Sequence, residues 1–319
     1  MRTPVLFLIF NRPAYTERVF ERIAAARPSK LLVVADGPRS ADEADLCRET
    51  RDIVARVDWD CEVIPNYSEA NMGCRARVSS GIDWAFSLVE EAIILEDDCL
   101  PAASFFSFCE LMLDRYRDDK RVMMVSGTNF LRDQLDIPES YTFSQYPSIW
   151  GWATWRRAWQ LYDVNMEQWP VVRDQRQLER LVRNERVSAF YSAVWNDTST
   201  INSTWDYQWS FARRFNHGLG AVPRVNLVSN IGTTGATHGA GDTRLGAPTF
   251  DLDTSNLIHP RSVFPDQRLD AILTEGDLLF GPAPNSEQPT LPSPIWLRAA
   301  RRVKRLVTQP LSRHPDPGS

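Results

Sequence analysis

Residues Ala92 to Pro101 run Ala-Ile-Ile-Leu-Glu-Asp-Asp-Cys-Leu-Pro, and this join of an apolar run to three acids constrains the chain more than any other stretch. The run is too short for a helix and stops at Pro101, the pattern of a central strand in a sheet covered on both faces. Ligands of open α/β sheets sit just outside the carboxyl ends of such strands. Glu96, Asp97 and Asp98 repel one another and are costly to desolvate, so at the end of a buried strand they call for a compensating cation. Mg²⁺ or Mn²⁺ is the candidate. Such hard ions take oxygen ligands and commonly use one or two carboxylates, leaving positions for water and substrate phosphates. The alternative is a solvated acidic turn, against which the hydrophobic run argues.

The chain leading to this stretch alternates strand and helix. Pro4 to Phe10 is the first expected strand and Ala14 to Ala26 an amphipathic helix. Leu31 to Ala35 is a second strand, stopped by Asp36-Gly37-Pro38. A helix over Asp42 to Val57, a short strand at Cys61 to Ile64 and a loop at Asn71-Met72-Gly73 lead to a helix from Arg77 to Val89. After the acids come a helix from Ala103 to Tyr116 and a strand at Val122 to Val125. This order implies a mainly parallel sheet built from right-handed βαβ units. Neither G-x-G-x-x-G after the first strand nor G-x-x-x-x-G-K-[ST] anywhere is present, so dinucleotide and P-loop readings are weak.

With 36 Lys and Arg against 41 Asp and Glu, the net charge of -5 argues against general nucleic-acid binding. The five cysteines, Cys47, Cys61, Cys74, Cys99 and Cys109, form no CxxC pair, which points to reduced packing residues in a cytosolic protein. The apolar start, Val5 to Phe10, is too short for a signal sequence or a spanning helix.

Beyond Gly127 the composition changes. Trp150, Trp152, Trp155, Trp159, Trp169, Trp195, Trp205 and Trp209 crowd one region. An indole can pack on the apolar face of a sugar ring while its N–H reaches a hydroxyl, and it can equally fill a core. Gly151, between bulky rings, suggests close backbone approach to a ligand or to a neighbouring strand. Gln175 to Tyr191 looks helical, as does a stretch after Trp205 to about Asn216, with Thr204 or Asp206 as its cap. Ala221 to Val228 is an expected strand. The loop Asn230 to Gly239 is polar and glycine-rich, able to wrap a diphosphate, with His238 as a nitrogen ligand to the same ion.

From about Gly281 the chain is Pro-rich and reads as a linker, followed by a basic stretch in which Trp296, Ala299, Val303 and Leu306 recur at helical spacing among arginines. Such a helix either lies on an anionic membrane or docks on the domain.

Ala76-Arg77, then Trp84-Ala85-Phe86, a buried strand, Glu96-Asp97-Asp98 and Ser104-Phe105-Phe106 resemble, in order and spacing, the nucleotide-sugar half of GT-A glycosyltransferases. The pattern is most similar to the inverting N-acetylglucosaminyltransferase I family and to bacterial family-2-like transferases. Phe10-Asn11-Arg12-Pro13 resembles the first-strand end of these enzymes, where the nucleotide is held. The resemblance covers about Pro4 to Gly127. It implies a GT-A, Rossmann-like α/β fold whose mainly parallel sheet is flanked by helices, with a Trp-rich acceptor-side half and a C-terminal amphipathic helix. It further implies that Asp36 contacts uracil or ribose, that Arg12 faces the diphosphate, and that Asp98 is the direct metal ligand. Asp97 would face the ribose or metal waters and Glu96 the donor sugar, with Asn11, Arg77 and Gly151 as further nucleotide-sugar contacts. Trp205-Asp206 resembles the motif of the catalytic base and His238 the C-terminal metal-binding His. The base motif lacks the family's paired acids, and Asp197 is a rival.

The expected organisation is a nucleotide-sugar half over 1–127, an acceptor and base half over 128–280, a linker over 281–292 and a basic tail over 293–319. The expected activity is metal-dependent transfer of a hexosyl or N-acetylhexosaminyl group from a nucleotide sugar, a UDP-sugar in the first instance, to a hydroxyl of a glycan or lipid-linked saccharide. The expected setting is the cytoplasm, with peripheral attachment to the inner membrane face through 294–307. Two other classes fit less well. A sugar-nucleotidyltransferase would want a Gly-rich basic loop where Asn11-Arg12-Pro13-Ala14 stands. A non-catalytic sugar-binding protein would need no carboxylate triplet.

Overall fold

The computed structural model describes residues 1–131, 134–182, 184–200, 204–232 and 244–275. In chain order the elements are β1 (Val5–Ile9), α1 (Pro13–Ala26), β2 (Lys30–Ala35), α2 (Ala44–Val54), β3 (Glu62–Tyr67), α3 (Gly73–Leu88), β4 (Glu91–Glu96), β5 (Cys99–Pro101) and α4 (Ala103–Arg115). The second half adds β6 (Val122–Ser126), β7 (Tyr141–Ser144), β8 (Trp152–Trp155), α5 (Arg156–Trp159), α6 (Trp169–Asp174), α7 (Gln177–Leu181) and α8 (Glu185–Thr200). It closes with α9 (Asp206–Phe215), β9 (Leu219–Pro223), β10 (Val228–Asn230) and α10 (Gln267–Glu275).

Eight strands form one sheet in the order β3-β2-β1-β4-β8-β6-β9-β7. The β3-β2-β1-β4 half is wholly parallel. In the other half β8 runs antiparallel between β4 and β6, while β9 is parallel to β6 and β7 antiparallel to β9. The mainly parallel, Rossmann-like α/β sheet expected from the alternation is therefore present. Its parallel character is complete only in the half read from βαβ units.

Both faces of the sheet are covered, which explains why its central strands are uniformly apolar. Along β1, Val5, Phe7 and Ile9 pack on one side with Val19 and Ile23 of α1 and Phe105, Phe108 and Met112 of α4. Leu6 and Leu8 pack on the other with Ile82, Ala85 and Phe86 of α3. That second layer continues into Trp152, Trp159, Trp205 and Trp209, whose rings contact one another. A third cluster holds α6 to α9 together around Trp169, Phe190, Trp195 and Phe211. Each fully buried side chain of this size contributes about 1.5–3 kcal/mol. All eight tryptophans of the middle region are buried and contribute to the core, and two of them, Trp150 and Trp209, also line a cavity.

Three of the differences from the sequence reading have a local reason. Helix α3 begins at Gly73 rather than Arg77, because Gly73 takes φ +78°, a left-handed value that favours glycine, and the Asp36 carboxylate receives the first N–H groups. The single helix expected over Gln175 to Tyr191 is divided between α7 and α8, because Val182 after α7 takes the extended values φ -110° and ψ 104°. The strand expected from Ala221 to Val228 is two strands in different sheets, because the chain turns after Pro223 to pair β10 with β5. No described helix is long and apolar enough to cross a membrane.

Candidate active site

Because β1, β2 and β4 are parallel neighbours, their carboxyl ends share one edge of the sheet. Leu8 is in register with Glu96, so the turn after β1 lies beside the acids that end β4. There the Arg12 guanidinium donates to both oxygens of Asp97 and stands with Nη1 3.0 Å from Asp98 Oδ2. Asp97 is 2 % and Asp98 8 % exposed, which removes the solvated-turn alternative.

The small second sheet closes this edge. Pairing of β10 with β5 sets Asn230 opposite Cys99, and Ile231 donates its N–H to the Asp98 carbonyl at 2.8 Å. Asn230 Nδ2 lies 3.5 Å from Asp98 Oδ1. Gly232 lies directly against the same carboxylate, where a Cβ would stand 2.4 Å from Oδ2.

Burial pushes the Glu96 carboxyl well above its usual range, and the Asp98 and Asp97 charges push it further; Arg12 opposes them, and Asp206 adds to the rise. Burial likewise raises Asp97, against the pull of Arg12. For Arg12, burial would lower the pKa, but Asp97 and Asp98 more than offset it. One guanidinium thus faces three carboxylates. The charge of the edge is incompletely matched.

Asp206 is the first residue of α9, and its Oδ1 accepts a hydrogen bond from the Thr204 hydroxyl. Its action on Glu96 places it in the same electrostatic neighbourhood as the strand-end acids, although 110 positions separate it from Glu96 in the chain. It also lines a cavity of about 180 Å³ together with Ser148, Trp150, Tyr207, Arg213 and Arg244. Asp197 sits near the end of α8 and is not among the residues that line this cavity.

Other expected contacts are engaged with the protein itself. The Asp36 carboxylate accepts from the N–H groups of Gly37, Met72 and Gly73 and from Asn71 Nδ2, four bonds that fill its acceptor positions. It caps α3. Arg77 donates to the carbonyls of Ala35 and Asn66 and to Asn66 Oδ1, tying α3 to the ends of β2 and β3. Asn11 donates to Glu43. At Gly151 the close approach is to a neighbouring strand: a Cβ there would stand 2.7 Å from Val228 of β10. His238 lies outside the described residues, as does the segment 276–319 that contains the expected linker and tail.

The sequence reading missed Arg213 and the contact of Asn230 with Asp98. Asn230 meets Asp98 only through the pairing of two short strands 132 positions apart, for which no local signal exists. For Arg213 a signal was present. Asp206, Trp209, Ser210 and Arg213 recur at i, i+3, i+4 and i+7, one face of α9, and that face lines the cavity.

No family model matches this chain, and no curated protein matches it. Among solved structures, an active-site mutant of LgtC is similar at 11% identity and TM-score 0.34, over 54% of this chain and 64% of that one, less than two thirds of its length. UDP-glucose pyrophosphorylase complexed with UDP-glucose is similar at 9% identity and TM-score 0.30, over 50% of this chain and 79% of that one. The 4-diphosphocytidyl-2C-methyl-D-erythritol synthase of Anaerococcus prevotii is similar at 10% identity and TM-score 0.31, over 50% and 75%. Each is a partial likeness at low identity and assigns nothing to this chain. Among the described residues, no three His, Cys, Asp or Glu side chains are grouped as a metal cage.

Proposed function

We propose that this chain is an inverting glycosyltransferase that moves a hexosyl or N-acetylhexosaminyl group from a nucleotide sugar, with UDP as the nucleotide, to a hydroxyl of a glycan or lipid-linked saccharide. The observation that carries the reading is the cluster of Glu96, Asp97 and Asp98 at the carboxyl edge of a parallel sheet, with the charge of Asp206 acting on Glu96 through space. Such an edge is where open α/β sheets receive ligands.

The donor set fits a hard divalent ion in charge and in chemistry. Its oxygens outnumber the one guanidinium available to them, and Mg²⁺ or Mn²⁺ needs only one or two carboxylates. Asp98 would hold the ion, with His238 as a second ligand; when bound, it would supply positive charge toward a departing diphosphate. Arg12, drawn onto Asp97 and Asp98, stands where it can exchange a carboxylate for a phosphate oxygen. Glu96, which ends β4 beside Asp97 and Asp98, would face the donor sugar. Asp206, oriented by Thr204, accepts the proton of the attacking hydroxyl as that oxygen bonds to the anomeric carbon. Residues 1–127 then form the donor half and 128–280 the acceptor half.

The segment 294–307 has the composition of a reversible membrane-surface helix, which would bring a lipid-linked acceptor to the site. The working place would be the inner membrane face. A panel of nucleotide sugars with Mn²⁺, read by thermal stabilisation and by nucleoside diphosphate release, tests the activity directly. No stabilisation or release with any donor would remove it.

A further inference from the structure

The cavity beneath α9 carries an unmatched set of donors. Arg213 and Arg214 are 3 % and 5 % exposed and adjacent on one helix, and Arg213 lines the cavity. Arg214 is held between the rings of Tyr146 and Tyr191, each 4.2 Å from its guanidinium carbon, and donates to the Tyr191 hydroxyl at 3.0 Å. Arg213 donates Nη1–H to the Gly218 carbonyl at 3.3 Å. Its Nε has no hydrogen-bond partner among the described residues, and neither does the indole Nε1 of Trp209. Both residues line the cavity, and they lie one helical turn apart on the same face.

Both groups are donors only, so nothing but an acceptor can satisfy them. A buried guanidinium also calls for a counter-charge. The acid that acts on Arg213 through space is Asp270, which burial pushes up to about 6 and whose oxygens already accept from the Ser144 hydroxyl and the Gln145 N–H. Like charge from Arg214 adds to the mismatch. At the opposite end of the same helical face stands Asp206, about 10 Å away along the axis at 1.5 Å per residue. That span suits a sugar whose hydroxyl faces Asp206 and whose substituent reaches Arg213.

We infer that this cavity is an acceptor subsite for a sugar bearing an oxyanion, a carboxylate or a phosphate, received by the side chains of Arg213 and Trp209. The word acceptor rests on the glycosyl-transfer reading; the anion preference does not.

Calorimetric titration of the full chain with methyl glucuronide, glucose 6-phosphate, neutral methyl glucoside and inorganic phosphate tests the inference. The two anionic sugars should bind at least ~10-fold more tightly than methyl glucoside, and the tighter of the two names the group recognised. Arg213→Met should erase the preference and Trp209→Phe, which removes the indole N–H together with part of the ring that packs on Trp152 and Trp159, should weaken it several-fold. If Arg213→Met does not fold, Trp209→Phe and Arg213→Lys decide. Equal binding of anionic and neutral sugars, or a preference that survives every folded variant, overturns the inference. So does inorganic phosphate binding as tightly as glucose 6-phosphate, which would make this a bare anion site. UDP titration with Mn²⁺ separates the two readings. UDP binding without anion preference sinks the subsite alone, and anion preference without UDP binding keeps the subsite and removes glycosyl transfer.

Discussion

Gly232 lies so close to Asp98 that a methyl group on it would stand 2.4 Å from the carboxylate oxygen Oδ2 and 3.0 Å from its carbon. The neighbour that must give way is the side chain proposed to hold the metal. Gly232→Ala should therefore swing Asp98 out of place, reducing Mn²⁺-dependent UDP binding by at least ~10-fold, while the melting temperature changes little because Asp98 sits at the edge of the core. Unchanged UDP affinity in a folded Gly232→Ala protein would show that the position of Asp98 does not matter to the donor.

Asp206 and Asp197 make opposite predictions. Asp206→Asn should lower turnover by ~10²–10⁴-fold with donor affinity almost unchanged, the pattern of a lost general base. Asp197→Asn, outside the cavity lining, should leave both quantities near their original values. Steady-state kinetics on the two variants distinguish them, and a reversal of their behaviour transfers the role to Asp197.

Asp36 should prove structural. Its carboxylate accepts from three backbone N–H groups and one amide at 2.9–3.0 Å, and bonds to a charged acceptor contribute about 1.5–3 kcal/mol each at most. Asp36→Ala should lower the unfolding free energy by ~2–4 kcal/mol and speed amide exchange at the start of α3. A variant that keeps its stability but loses UDP affinity would restore Asp36 to the nucleotide site.

Stability should carry a pH signature from Asp270. Burial raises its carboxyl from 3.8 to about 6 in the folded protein, so the folded state holds a proton that the unfolded state has already lost between those values. Stability consequently falls as pH rises from about 4 to about 6, and the cost of ionised Asp270 is fully present above that. Two units correspond to ~3 kcal/mol. Asp270→Asn should thus gain stability relative to the original chain between pH 4 and pH 7 in urea titrations. A difference that stays constant over that range means the carboxyl titrates normally.

The basic tail gives a salt-dependent prediction. Truncation after Leu291 should reduce sedimentation with anionic vesicles while leaving transfer to a soluble acceptor analogue unchanged, and high salt should mimic truncation in the intact chain. Failure of the intact chain to sediment at low salt removes the membrane role.

What the sequence determined by itself is the part governed by local chemistry. The apolar run of β4 can only be a strand buried on both faces, and three acids at its end can only sit at the sheet edge where ligands enter. The alternation of the first 127 residues likewise made the parallel half legible, because a βαβ unit has one handedness and a short list of arrangements. Tertiary structure decided what each polar side chain faces. Asp36 and Arg77 have the residue types of ligand contacts, yet the ends of α3, β2 and β3 present unpaired N–H and carbonyl groups that consume them first. Gly151 could have faced a ligand or a strand, and only the turn after Pro223, which carries Val228 into the second sheet, selected the strand. Asp206 and Arg213 are ordinary residues of an amphipathic helix until packing lays one face of that helix along a cavity and lets the charge of its first residue act on Glu96, 110 positions away. Hydrophobic periodicity is written along the chain, whereas the partner of a buried charge is set by whichever distant strand or helix closes over it.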